Sequence, residues 1–270
     1  MADPIQFRNR YTGEIETEEI YGEIFLRLVY GNPLGKLALH SAVKRAWFSR
    51  LYGHQMDQAK SAQKIIPFID EFGVNPDEFL ESPDSFRSFN EFFFRKLKPE
   101  ARPIMRDEEV AIFPADGRHL GITDLSKTNG IFTKGQILSL DELLGDRDLA
   151  EVYSNGTAVI SRLCPVDYHR FHFPVGGLTS ESKTIGKDLF SVSPIALRKQ
   201  LSILWRNKRT ISQVQSDTFG KVTIIEVGAT CVGGTIQTYI PGTKVAKGVE
   251  KGYFKFGGSM TITLFENGRV

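Results

Sequence analysis

The chain has 270 residues, 41% hydrophobic and 24% charged, ordinary proportions for a soluble globular protein and enough for one large domain or a core with a helical extension. A formal net charge of +2 excludes a whole-molecule polyanion binder and leaves any electrostatic attraction to local clustering. The first twenty residues are too polar for a secretory signal, and no apolar run approaches the ~20 residues needed to span a bilayer.

Residues 1 to about 20 read as a polar arm with a turn at Thr12-Gly13. From Ile20 to about Phe72 the pattern is helical. Asn32-Pro33 is a start signal, because Asn can cap a helix and Pro suits a first position whose N–H has no partner. The helix that follows interleaves Leu37, Leu39, Val43, Trp47 and Leu51 with Lys36, Lys44, Arg45 and Arg50. Such a helix either lies in a lipid interface, basic side toward anionic headgroups, or packs its apolar side on a core. Ser88-Phe89-Asn90-Glu91 has capping-box spacing and opens a helix through Leu97 that ends before Pro99. Phe92, Phe93 and Phe94 cannot share one helical face, so this helix is expected to be buried on several sides or to touch lipid. Twenty Phe in all imply a large aromatic core or an apolar surface in need of a partner.

After Pro103 the texture changes. The stretches Val110-Phe113, Val152-Arg162, Val222-Val227, Gly234-Ile240 and Met260-Phe265 are β-rich and separated by Gly, Asp, Asn and Pro. Ile195 to Arg209 adds one helical segment. The expected fold class is α+β, helical over residues 1–105 and β-rich over 106–270. Cys164 and Cys231 are too few for a disulfide framework and lack metal-ligand spacing, and read as buried thiols in a reducing compartment.

Three segments of the β-rich part carry candidate chemistry. Asp116, before Gly117, is either an Asx turn or an acid held at a strand end to orient a histidine. His169 and His172 share the segment from Cys164 to Pro174; in a strand they would face opposite ways, in a turn they would converge. No Cys, Asp or Glu completes a metal set around them. Gly257-Gly258-Ser259 is either a hairpin turn or a strained backbone whose carbonyl is open to the serine.

Taken in order, Phe92-Phe93-Phe94-Arg95-Lys96-Leu97-Lys98-Pro99, Pro114-Ala115-Asp116-Gly117, Asp167-Tyr168-His169-Arg170-Phe171-His172, Asp188-Leu189-Phe190-Ser191-Val192, Val227-Gly228-Ala229-Thr230 and Lys247-Gly248-Val249-Glu250-Lys251-Gly252-Tyr253-Phe254 resemble phosphatidylserine decarboxylase, with comparable gaps. The resemblance covers the chain from about residue 85 onward. It implies a proenzyme that cuts itself between Gly258 and Ser259, the serine hydroxyl attacking the Gly258 carbonyl and the resulting ester eliminating to dehydroalanine and then a pyruvoyl group, the covalent cofactor. A serine hydroxyl needs a neighbouring base, and the family's arrangement maps onto Asp116, His172 and Ser259. Decarboxylation would then run through a Schiff base between the pyruvoyl ketone and the substrate amine, with His169 suited to protonate the carbanion. The products would be phosphatidylethanolamine and CO2.

The same resemblance implies a helical, membrane-associating region over 1–105 and a barrel-like catalytic domain over 106–270. The partners would be phosphatidylserine in a membrane, with no nucleic acid, and the two cleavage products staying associated; a homodimer is one assembly open to the chain. The expected location is the surface of a bacterial cell membrane on its cytoplasmic face, or an organellar inner membrane, and the helices at 24–52, with the Phe-rich helix at 89–97 as a further candidate, become the favoured lipid contact. The cleavage site reads Gly257-Gly258-Ser259-Met260 where the family often has Gly-Ser-Thr, and eleven residues follow the serine. A pyruvoyl decarboxylase for a soluble amine, or a non-catalytic β-barrel carrier or lipid-binding module, would share parts of this pattern. A serine hydrolase is disfavoured, because no G-x-S-x-G elbow surrounds Ser259.

Overall fold

A computed structural model describes residues 4–18, 28, 46–127, 138–230, 234–257 and 259–270. The polar arm is a hairpin: β1 (Gln6–Arg8) pairs antiparallel with β2 (Ile15–Thr17). The start signal at Asn32-Pro33 and most of the interleaved helix lie outside the described residues. The remainder is α1 (Ala46–Asp57), followed through a 3-10 segment by α2 (Ile65–Phe72). Among the described residues no helix is long and apolar enough to cross a membrane.

The next helix, α3 (Phe89–Phe93), opens as its capping spacing predicts, with Ser88 accepting a hydrogen bond from the Glu91 N–H. It stops at Phe94 rather than Leu97. Phe92 and Phe93 are both fully buried, on different sides of the helix. They join Phe68, Phe79, Phe86, Phe89 and Phe256 in one aromatic cluster. Edge-to-face pairs such as Phe68–Phe89 (5.3 Å, 80°) and Phe93–Phe256 (4.9 Å, 65°) set its geometry, as ring quadrupoles prefer.

The β-rich half holds β3 (Arg118–Ile122), α4 (Leu140–Leu144), α5 (Arg147–Val152), β4 (Thr157–Leu163), β5 (Arg170–His172), β6 (Gly177–Thr179) and β7 (Lys183–Ile185). There follow α6 (Pro194–Leu197), α7 (Ile203–Arg206), β8 (Arg209–Ser216), β9 (Gly220–Val227), β10 (Thr235–Gln237), β11 (Lys244–Val245), β12 (Glu250–Phe254) and β13 (Ser259–Phe265). The large antiparallel sheet runs β11-β6-β8-β9-β13-β4-β3, with β7 beside β8, and a small sheet runs β10-β12-β5. The expectation of one helix over 195–209 gives way to two short ones, and Val110-Phe113 forms no strand.

Side chains alternate across a strand, so the large sheet has two unlike faces. Ile122, Ala158, Ile160, Ile225, Ile262 and Leu264 point to one side and join the aliphatic core built with Leu143, Leu144, Ala196 and Leu204 of the short helices. The register Thr210↔Glu226↔Thr261↔Ser161↔His119 puts a polar row on the other side. Every residue of β13 is nonetheless buried, because the small sheet covers this second face. Phe173 and Tyr239 from that side pack on Val214, Val222, Ile224 and Phe265.

The barrel expectation is therefore corrected to an open sheet covered on both sides. Strand alternation was legible; whether the end strands meet was not, and β3 and β11 stand at opposite ends of the order. The polar face finds its partner across the layers instead. Lys251 of β12 reaches Glu226 of β9 at 2.8 Å with both side chains wholly buried, and Gln237 of β10 bonds to each of them at 2.7 and 2.8 Å.

Candidate active site

Ser259 is the first residue of β13 and is 0% exposed. It pairs with Leu163 at the end of β4. Beyond Leu163 the chain turns at Cys164-Pro165, closed by the Asp167 N–H on the Cys164 carbonyl (3.0 Å) and by the Asp167 carboxylate on the Cys164 N–H (2.6 Å). That turn returns His169 to Ser259, with Nδ1 at 3.2 Å from the serine Oγ. The segment before Ser259 is fixed from the helical side, where the buried Asn90 accepts the Phe256 N–H at 2.7 Å. Gly257 has φ 138°, a conformation closed to residues with a Cβ. Gly258 lies outside the described residues, as does Cys231.

The second ring nitrogen of His169 decides its chemistry. Nε2 lies 2.9 Å from the Cys164 carbonyl, which can only accept, so Nε2 carries the proton. Nδ1 is then a bare lone pair, and the Ser259 hydroxyl donates to it. Burial holds the imidazole neutral, pulling its pKa down to about 3, with the charge of Arg95 pushing the same way. Phe93 stacks on the ring at 3.8 Å. A neutral, oriented acceptor touches the one hydroxyl expected to react.

His172 is differently placed. It lies in β5, three residues on, and points to the other side of the strand. Its Nδ1 lies 2.9 Å from the Gly248 carbonyl and its Nε2 3.3 Å from the Tyr168 hydroxyl. Burial lowers its pKa, opposed by the Gly248 carbonyl and by the charges of Glu250 and Asp116. Asp116 sits beside β5, where the His172 N–H donates to the Pro114 carbonyl at 2.7 Å. Its carboxylate takes Arg102 Nε at 2.7 Å, and Arg102 also binds Glu78 at 3.0 Å. Gly117 (φ 142°) lets the chain after Asp116 pass close to β4, where a Cβ would meet the Arg162 carbonyl. The structure brings Ser259 and His169 into contact; among the described residues Asp116 and His172 hydrogen-bond to other partners, and the Asp116 charge reaches His172.

Several contributors were not singled out from sequence. The Cys164 carbonyl carries no side-chain signal at all. Arg102 lies outside the motifs that carry the family resemblance. Glu226 and Lys251 did leave a mark, a charged residue inside Val222-Thr223-Ile224-Ile225-Glu226-Val227 and inside Glu250-Lys251-Gly252-Tyr253-Phe254, because a charge on a buried strand position demands a partner.

The profile of the phosphatidylserine decarboxylase family matches residues 89–270, the span that contains all of these groups except Glu78. The chain belongs to the phosphatidylserine decarboxylase family. It is 44% identical over 268 residues to the phosphatidylserine decarboxylase proenzyme of Fusobacterium nucleatum subsp. nucleatum, covering 99% of this chain and 89% of the relative. The proenzymes of Clostridium novyi (46%) and Clostridium perfringens (44%) align over 266 residues, 98% of this chain and 90% of each relative. The segments of the decarboxylase pattern thus sit in a chain that is related over nearly its whole length.

Proposed function

We propose that this chain is a self-processing decarboxylase that acts on phosphatidylserine at a membrane surface and releases phosphatidylethanolamine and CO2. The observation that carries the reading is the Ser259 hydroxyl against His169 Nδ1, with the tautomer fixed by the Cys164 carbonyl. As His169 takes the proton, Oγ bonds to the Gly258 carbonyl carbon and the C–N bond to residue 259 breaks, the amine leaving protonated. The ester then loses the Ser259 α-proton and the Gly258 carboxylate, and water replaces the nitrogen as ammonia. Ser259 suits this conversion, being buried, at a strand start, and preceded by glycines. A pyruvoyl group made from it supplies a ketone that takes up the substrate amine and draws in the electrons released with CO2.

The chain's own residues do the rest. Closure by the aromatic cluster excludes bulk water and strengthens every polar contact inside. Tyr168 and His172, whose hydroxyl and Nε2 lie 3.3 Å apart, would hold a proton at the opposite side of β5. His169 is the base that the geometry supports for the cut. Allocation of that role to His172 with Asp116 is a second reading, supported by the reach of the Asp116 charge to His172.

The membrane contact falls on the N-terminal helical region of residues 1–105, ahead of a catalytic domain over 106–270. Trp47 and Leu51, four residues apart on α1, are each 56% exposed, an apolar pair turned to solvent. Docking at the cytoplasmic face of a bacterial membrane, with the two cleavage products held together, fits these features. One experiment tests the reading: the purified chain is incubated with phosphatidylserine vesicles, then its intact mass and the lipid products are measured. The expected result is a split ahead of residue 259, a pyruvoyl mass, and phosphatidylethanolamine. Ser259→Ala should stay uncut and inactive, and Trp47→Ser/Leu51→Ser should be cut but sediment less with vesicles. A folded wild-type chain that remains a single uncut species would sink the proposal.

A further inference from the structure

Arg95 is a poorly satisfied buried arginine beside the site. It is 4% exposed and lies between the rings of Phe79 and Phe92, at 4.8 and 4.9 Å. Its only hydrogen bonds among the described residues are long ones, Nη2 to the Val166 carbonyl at 3.3 Å and Nη1 to the Phe92 carbonyl at 3.5 Å. Its Nε has no partner among the described residues. Two other buried arginines are well engaged. Arg170 binds the Phe94 carbonyl at 2.9 Å and Glu250 at 2.8 Å, and Arg209 caps the carbonyls of Leu143 and Trp205 at 2.6 Å each. A buried guanidinium that lacks an anion is costly, and burial pulls the pKa of Arg95 down to about 10, still charged at neutral pH.

Position ties this charge to the reacting groups. Val166 belongs to the turn that returns His169 to Ser259, and Phe93, two residues before Arg95, stacks on His169. The three carboxylates whose charge reaches Arg95 are already committed, Asp116 and Glu78 to Arg102 and Asp167 to the Cys164 N–H. An oxyanion from outside the chain would complete it. The substrate of the proposed function offers a carboxylate and a phosphodiester. Holding the carboxylate in an ion pair would stabilise a charge that disappears in the transition state, and so slow the reaction; holding the phosphate does not.

We propose that Arg95 binds the phosphodiester of the lipid headgroup, its Nε–H and a neighbouring Nη–H forming a fork for two phosphate oxygens. This rests on the reading that the chain acts on phosphatidylserine. The test uses Arg95→Lys, which keeps the charge and loses the fork, and Arg95→Met, which loses both. Self-cleaved wild type and variants are assayed on short-chain phosphatidylserine in micelles, with short-chain phosphatidylethanolamine as product inhibitor. KM should rise about tenfold for Arg95→Lys and further for Arg95→Met, with kcat nearly unchanged and the product's inhibition constant rising in parallel. An unchanged KM overturns the proposal. So does a raised KM with unchanged product inhibition, because the product has lost the carboxylate and kept the phosphate. If a variant is not cut, calorimetric binding of short-chain phosphatidylethanolamine to the folded chain decides the same question: weaker binding than to uncut Ser259→Ala supports the phosphate site, and equal binding overturns it. A wild-type chain that binds this lipid in an Arg95-dependent way yet turns over no phosphatidylserine would overturn the proposed function and leave the phosphate site standing.

Discussion

At the centre of the large sheet, along β9 and β13, both faces are buried, and they are built from opposite chemistry. On one, Ile225, Ile262 and Leu264 meet the short helices in an aliphatic layer. On the other, Glu226, Thr261, Ser161 and Ser259 lie under the small sheet and the aromatic cluster. The aliphatic face asks only for volume, which hydrophobic side chains supply without direction. The polar face asks for partners at fixed distances, and it obtains them from β10, β12 and the turn after β4. The proposed chemistry sits where the second demand is made. Changes on the polar face should alter reactivity, pH response or stability according to which partner is lost, and changes on the aliphatic face should alter stability alone.

The largest contrast should come from His169. His169→Ala should slow self-cleavage by about a hundredfold or more, the usual worth of a positioned base, as read from cut fraction against time on a denaturing gel. Ile262→Ala on the opposite face should unfold about 2–5 kcal/mol more easily and still be cut. His172→Ala belongs in the same series. A normally cut His169→Ala chain beside an uncut His172→Ala chain would move the base to His172 and break the allocation drawn from geometry.

A further effect, on stability, is expected at the buried pair of Lys251 and Glu226, where burial lowers the lysine pKa and the carboxylate opposes that shift. Lys251→Met alone leaves Glu226 buried without its cation and should cost about 3–5 kcal/mol in denaturant unfolding. Lys251→Met, Glu226→Leu and Gln237→Leu together should recover most of that loss, because an apolar set of similar volume needs no charge. If the triple variant is as unstable as the single one, the polar face is not separable from its ion pair and the comparison of faces has to be redrawn.

The smallest effect concerns acid. His119 bonds to Ser161 at 2.9 Å and stacks on Phe113, and burial, with Arg10 and Arg118 nearby, pulls its pKa down to about 4. His169 is lowered to about 3, and His172 is lowered too. In each case the folded pKa lies below the unfolded one, so the unfolded chain binds protons first as pH falls. The stability these neutral rings contribute is present above about pH 6.5 and is lost progressively below it. The melting temperature should therefore drop between pH 7 and 5.5, before ordinary carboxylates titrate. His119 is exposed on the edge strand β3, where solvent screens its interactions, so His119→Phe, which keeps the stack on Phe113, should recover only about 1 °C of that drop.

Much of this division was legible in the residues. β9 and β13 stand close to where Val222-Val227 and Met260-Phe265 placed them, since both are unbroken runs rich in β-branched and apolar residues. The strand expected from Val152 starts only at Thr157, because Asp146 caps a helix through the Leu149 N–H and carries it to Val152. The meeting of His169 with Ser259 depends on a turn closed by Asp167 and on strand pairing between β4 and β13, far apart in the chain, which no local pattern encodes. The Asp-Gly turn at Asp116 gives no sign of what approaches it, so the Arg102 ion pair was not legible, whereas the reach of its charge to His172 agrees with the orienting role the resemblance implies.

The place of β13 has a further consequence. It lies between β4 and β9, zipped to both, and the proposed cut falls at its first residue. Before the cut, folding threads this strand into the middle of the sheet as part of one chain. After it, the unfolded state is two separate molecules, and rebuilding the sheet requires them to find each other again. Self-processing would then act as a ratchet on folding: the uncut chain can melt and return, whereas the cut one, once melted at low concentration, scatters its central strand and does not come back.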